Sequence, residues 1–156
     1  MSRVQRLSGG LRMCWIYRST REVSTQCSVS VWCAPEQNPW VSALVAGLGR
    51  FLSAEAAEAM AAPSRFGHAD RLGQLFHDAG FASVQGDTTE IARLLPATTA
   101  GLEHNLLTTP LAAWVLAMDA GERAEMVDQM LSELDDYRQD DQLSVPARSN
   151  VVNATA

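Results

Sequence analysis

Residues 69–84 read ADRLGQLFHDAGFASV and carry the strongest secondary-structure signal in the chain. Apolar side chains recur there at the i, i+3, i+4 and i+7 spacing of one helical face, which predicts a helix over 69–79. Gly80 comes next, at the position where many helices end in a left-handed residue. Phe81 follows, and it is placed to fold back onto Phe76. The stretch therefore predicts a helix with a glycine stop that leads into a strand.

Strands are predicted on both sides of this helix. Residues 27–33 read CSVSVWC, and their β-branched content and period of two favour a strand with its valines on one face. The strand after the helix is predicted from about Val84 to Leu95, and Pro96 ends it. A last strand is predicted within 143–154.

Two other stretches, about 39–62 and 98–142, predict helices that are inserted between these strands. The first begins at Asn38-Pro39, because asparagine is a preferred N-cap and proline fits the first helical position. In the second stretch Asp119 is predicted to cap a long helix whose apolar residues face inward and whose acidic residues face solvent.

The composition limits the classes of partner. The chain has 156 residues, of which 47% are hydrophobic and 19% charged, so one domain with a real core is expected. No run approaches the ~18 continuous apolar residues of a membrane helix, so no membrane partner is predicted. The formal charge is −6, from 12 arginines and 18 acidic residues. Such a chain is a poor electrostatic match for DNA or RNA, so no nucleic-acid partner is predicted.

The charge is unevenly placed along the chain. Residues 1–27 contain five arginines against one glutamate, and they are predicted to form a poorly ordered, arginine-rich N-terminal segment. That segment has no apolar run long enough for a signal peptide, so a cytoplasmic location is predicted. Residues 119–141 contain nine acidic residues against two arginines, which is typical of a solvated helix face.

No catalytic or metal-binding constellation is predicted. The pairs His68/Asp70 and His77/Asp78 lack a third ligand at a recognisable spacing. Cys33 has no flanking signature of a catalytic thiol. The three cysteines show no C-x-x-C pair, and no glycine-rich phosphate loop follows a strand.

The order of the motifs is more specific than any one of them. A strand ending in Ser30-Val31-Trp32 leads to Asn38-Pro39-Trp40, and further on come the helix with its Ala-Gly-Phe stop and a strand. Residues 28–156 thereby resemble the C-terminal half of class I S-adenosylmethionine-dependent methyltransferases that act on small molecules. The similarity is greatest to the quinone-biosynthesis-like group, methyltransferase type 11.

The resemblance implies an α/β fold, specifically the C-terminal half of a Rossmann-like methyltransferase with a few strands and a mainly helical insertion. The family's cofactor is S-adenosylmethionine, which the N-terminal half holds with a glycine-rich loop and an acidic residue. This chain has neither feature, so no cofactor-binding residue is assigned and the chain alone is not expected to bind the cofactor. Trp32, Asn38 and Trp40 correspond to the family's substrate-side loop, and core packing is the alternative role for both tryptophans.

Two functions follow from this interpretation. The first is a truncated methyltransferase-like protein, inactive alone, that methylates a small molecule when a cofactor-binding half is supplied. Its partners would be that small molecule and either a second copy or a complementary half-chain, because the strand at 28–33 is expected to lack a neighbour. The alternative is a non-catalytic helical module that binds a protein or a ligand. Residues 1–27 fit neither pattern.

Overall fold

The computed structural model describes residues 15–17 and 26–156. The strands are β1 (Trp15–Tyr17), β2 (Gln26–Trp32), β3 (Ser83–Pro96), β4 (Arg138–Gln139) and β5 (Gln142–Thr155). The helices are α1 (Pro39–Phe51), α2 (Ala54–Ala61), α3 (Ala69–Asp78), α4 (Thr99–Leu107), α5 (Ala112–Ala117) and α6 (Ala120–Glu133). The prediction of a poorly ordered segment over 1–27 falls mostly outside the described residues.

The strands form one sheet in the order β1-β2-β5-β3, and the short β4 pairs with β5. β2 runs antiparallel to β5 in a register that joins Gln26 to Thr155 and Trp32 to Ser149. The predicted mixed α/β class is therefore confirmed, with a small sheet that contains antiparallel pairs.

The strand β1 is a feature that the sequence interpretation missed. It pairs antiparallel with the first three residues of β2, from Trp15 opposite Ser28 to Tyr17 opposite Gln26. The expectation that the strand at 28–33 lacks a neighbour on this side is therefore wrong at Ser28. The physical reason is local, because a run of two aromatic residues around one isoleucine has high strand propensity.

The described residues divide into two compact units. Unit 1 contains the described residues up to Ala34, together with Ala62–Glu90 and Arg148–Ala156, and unit 2 contains Pro35–Ala61 and Ile91–Ala147. Strands β3 and β5 contribute residues to both units. No helix among the described residues is both long enough and apolar enough to cross a membrane.

Unit 1 is built where α3 packs on the sheet. The hydrophobic cluster between them consists of Cys27, Val29 and Val31 of β2, Leu72 of α3 and Val152 of β5. These positions of β2 alternate as predicted, because successive side chains of a strand point to opposite faces.

The end of α3 has the geometry that the sequence predicts. Gly80 has φ +88°. The Gly80 amide donates to the carbonyl of His77 over 2.9 Å, and the Phe81 amide donates to the carbonyl of Phe76 over 3.1 Å. The Phe76 and Phe81 rings meet edge to face with centroids 5.4 Å apart. These contacts form a Schellman motif with its usual apolar contact.

Unit 2 is mainly helical and has its own core. The side chains that are fully buried there are large and apolar: Leu44, Leu48, Leu102, Leu106, Val115, Met126, Val127, Met130, Leu134, Leu143 and Val145. At Gly47 of α1 an added Cβ would lie 2.9 Å from Met126 Cγ, so the absence of a side chain lets Met126 of α6 pack against α1.

The helix starts in unit 2 follow the predicted cap residues with one difference. The Asp119 carboxylate accepts a hydrogen bond from the Gly121 amide over 2.7 Å, as expected of an N-cap. Asn38 occupies the N-cap position of α1, with Pro39 first in the helix, but its side chain does not cap the helix. The predicted capping role of the Asn38 side chain is therefore wrong, whereas the predicted helix start is confirmed.

Candidate functional site

The three substrate-side candidates are distributed over both units. Trp32, at the end of β2 in unit 1, is 37% exposed. Asn38 and Trp40 belong to unit 2, where they are 2% and 5% exposed. Trp40 is part of the core of that unit, which is the alternative role that the sequence left open for it.

Trp40 has a cationic neighbour that the sequence interpretation did not identify. The guanidinium carbon of Arg93, from β3, lies over the Trp40 ring at 4.9 Å from its centroid. Arg93 is half-buried, and its burial lowers the pKa of the guanidinium below its ordinary value. The group stays charged at neutral pH, because arginine deprotonates only far above that range.

Arg93 differs from the other arginines of unit 2 in its polar contacts. Arg50 donates to Gln129 over 2.8 Å, Arg123 pairs with Glu103, and Arg138 pairs with Asp135 at 2.7 Å. Within the described part of the chain, the Arg93 guanidinium makes no hydrogen bond or ion pair to another side chain or to the backbone. The indole is thus its identified partner there. A signal for Arg93 exists in the sequence, since it is the one charged residue in the run IARLL at 91–95.

A buried polar cluster lies in unit 1, around Asn150 of β5. The Asn150 amide nitrogen donates to the Gly67 carbonyl over 2.7 Å. Its oxygen accepts hydrogen bonds from Thr88 Oγ1 over 2.8 Å and from Cys33 Sγ over 3.3 Å.

The role of this cluster is structural, because it holds several segments of unit 1 together. Desolvation raises the pKa of the Cys33 thiol, and the charge of Arg148 opposes that rise. A thiol with a raised pKa stays protonated at neutral pH and is a weak nucleophile. The contacts instead join the loop at Gly67 to the end of β2 and to the strands β3 and β5.

An apolar cleft of about 200 Å³ lies in unit 1. It lies beside α3, and the apolar stripe of that helix forms one wall. The lining residues are Val29, Phe66, Leu72, Leu75, Phe76, Ala79 and Phe81. Leu75, in the middle of the stripe, is 45% exposed. A surface of this kind binds apolar groups and carries no acid, base or nucleophile for chemistry.

The histidines of α3 and its flank do not assemble a metal centre. His68 precedes the helix and His77 lies in its last turn, and both are exposed. Among the described residues, no three histidine, cysteine, aspartate or glutamate side chains come close enough together to hold a metal ion.

Comparison with known proteins adds no family assignment. The chain matches no protein-family model and, at a significant level of similarity, no curated protein.

Proposed function

We propose that the chain is the C-terminal, substrate-side part of a class I methyltransferase and takes part in methyl transfer to a small molecule when a cofactor-binding half is supplied. The observation that carries the proposal is the order of elements. The strand β2 is followed by helices, by α3 with its Ala-Gly-Phe stop, by β3, by further helices and by the final strand β5. This is the order on which the resemblance rests.

The sheet is compatible with that interpretation. Doubly wound sheets often carry an antiparallel strand at one edge, whereas their other strands are parallel. In this chain β5 pairs antiparallel with β2 and lies between β2 and β3, so the antiparallel strand is inside the sheet rather than at its edge, and mixed sheets of this kind are common. The pairing of β1 with β2 is also antiparallel, and the resemblance, which begins at residue 28, does not account for it.

The described residues do not form a binding site for S-adenosylmethionine by themselves. Dinucleotide-type sites use a glycine-rich turn after a strand and an acidic residue for the ribose hydroxyls. The cleft of unit 1 is lined by apolar side chains and offers neither. The cofactor would supply the methyl group, and no step of the reaction is assigned to a residue of this chain.

The proposal gives each unit a role in binding. In unit 1 the apolar cleft beside α3 is the surface that the cofactor-binding half would cover, because both faces of a doubly wound sheet carry helices. Trp32, which is exposed, stays a proposed substrate-side residue in unit 1. Asn38 and Trp40 are almost fully buried in unit 2, so their proposed part on the substrate side is indirect, through groups that pack on them such as the Arg93 guanidinium over Trp40. The proposed location is the cytoplasm.

The first test is genetic and biochemical. The DNA upstream of Met1 should encode, in some frame, a glycine-rich methyltransferase half. That half, co-expressed with this chain, should co-purify with it, and Leu75→Lys should weaken the complex because it places a charge in the cleft. The matched control Leu116→Lys changes an exposed leucine of unit 2 and should leave the complex intact. Absence of such a coding sequence contradicts the proposal.

The second candidate is a non-catalytic ligand-binding module. It is favoured by a specific observation, the half-buried Arg93 guanidinium over Trp40 in the helical unit. A chain that binds a small molecule by itself and forms no complex with a cofactor-binding half would be this second candidate rather than the first.

A further inference from the structure

We propose that unit 2 binds a small carboxylate with an apolar body, and that Arg93 is the residue that holds its charge. This binding does not depend on the methyltransferase proposal, because it requires no cofactor and no second chain.

The Arg93 guanidinium has N–H donors that are not used by the described residues. Arginine carries five N–H donors, and burial removes part of the water that would otherwise satisfy them. Among the described residues, no carboxylate, amide or carbonyl accepts from Arg93. The other three arginines of the unit all have such acceptors. Arg93 therefore has donors available for an acceptor that comes from outside the chain.

The Arg93 guanidinium is held in position before a ligand binds. The Trp40 ring belongs to the core of unit 2 and is almost fully buried, so its position is fixed. A guanidinium that lies over a fixed indole loses side-chain freedom before any ligand arrives. Less conformational entropy is then lost on binding, which favours affinity.

Apolar surface beside Arg93 indicates that the rest of the ligand is apolar. Side chains two residues apart on a strand share a face, so Ile91 lies on the same face of β3 as Arg93. Ile91 is 64% exposed. A ligand whose carboxylate reaches Arg93 thus has apolar surface beside it, which suits an aliphatic or aromatic ring.

The charge of unit 2 favours a carboxylate over a phosphate as the ligand of Arg93. Unit 2 carries 13 acidic residues and four arginines, so its mean field repels anions. A phosphate near neutral pH carries about −1.5 to −2 charges and is repelled more than a carboxylate with one. The planar guanidinium also matches the two oxygens of a carboxylate.

Benzoate is the probe for this site, and its binding to the full-length chain can be measured by calorimetry. We expect saturable binding with one site per chain. Benzamide, which has the same ring without the charge, and inorganic phosphate should both bind more weakly. Equal binding of benzamide would show that the charge is not recognised, and tighter binding of phosphate would overturn the carboxylate assignment.

Two variants test the residue. Arg93→Gln should weaken benzoate about tenfold or more, since a hydrogen bond to a charged group contributes about 1.5–3 kcal/mol. Arg93→Lys keeps the charge and should retain part of the affinity. The control Arg50→Gln removes an exposed arginine of the same unit, which lies over the Phe51 ring, and should leave benzoate binding unchanged. Unchanged affinity in folded Arg93→Gln, or no benzoate binding by the wild-type chain, would overturn the proposal.

Discussion

At the scale of single residues, Gly73 within α3 and Gly80 just after it show how substitution of the same residue type has opposite consequences. Gly80 has φ +88°, a conformation that side chains with a Cβ adopt at a cost of about 1–2 kcal/mol. Gly73 lies inside the helix, and a Cβ added there would meet no other atom within 4 Å. We expect Gly80→Ala to destabilise the chain by about 1 kcal/mol and Gly73→Ala to stabilise it by about 0.5–1 kcal/mol. Urea unfolding of both variants checks the prediction, and midpoints that move in the same direction would contradict it.

The same scale shows what local sequence predicts. The glycine stop, the fold-back of Phe81 and the Asp119 cap were all predicted, because each depends on residues within five positions of one another. The contact of Arg93 with Trp40 was not predicted, since the two residues are far apart in the chain and only the fold brings them together. For Asn38, the position in the helix was predicted and the side-chain bond was wrong.

At the scale of secondary-structure elements, Asn150 joins more segments than any local cap does. Its side chain bonds to the loop at Gly67, to β3 and to the end of β2. Asn150→Ala removes these three hydrogen bonds from a buried position, so we expect a loss of about 2–4 kcal/mol, above the usual effect of a point mutation. Asn153 lies on the same strand and bonds to Ser28 at an exposed position. Asn153→Ala should cost less than about 0.5 kcal/mol, and an equal loss in the two variants would contradict the role of the cluster.

The elements themselves were largely predictable, because β2, α3 and the helices of unit 2 have clear hydrophobic periodicity. The strand β1 was missed, since three residues are too few to show a period. The partners of Asn150 were also missed. A lone asparagine in a strand gives no signal of which distant backbone group it will meet.

At the scale of the whole molecule, the apolar cleft decides how the chain behaves without a partner. Leu75 in its lining is 45% exposed, whereas Leu72 of the same helix is buried, so the described residues leave the part of the α3 stripe around Leu75 uncovered. We expect concentration-dependent self-association by light scattering, because exposed apolar surface favours burial against a second copy. Leu75→Lys should reduce the association, whereas Leu116→Lys in unit 2 should not. A constant monomeric mass of the wild-type chain across dilution would contradict this expectation.

Titration of S-adenosylmethionine, followed by calorimetry, tests the central claim most directly. The claim is that this chain supplies the substrate side of a methyltransferase and that the cofactor site comes from a second half. We predict negligible heat with the chain alone, because its described residues lack a glycine-rich turn and a ribose-binding acid. We predict saturable binding, one cofactor per complex, once the proposed cofactor-binding half is present. Saturable one-to-one binding by the chain alone, or no binding by the complex, would contradict the account.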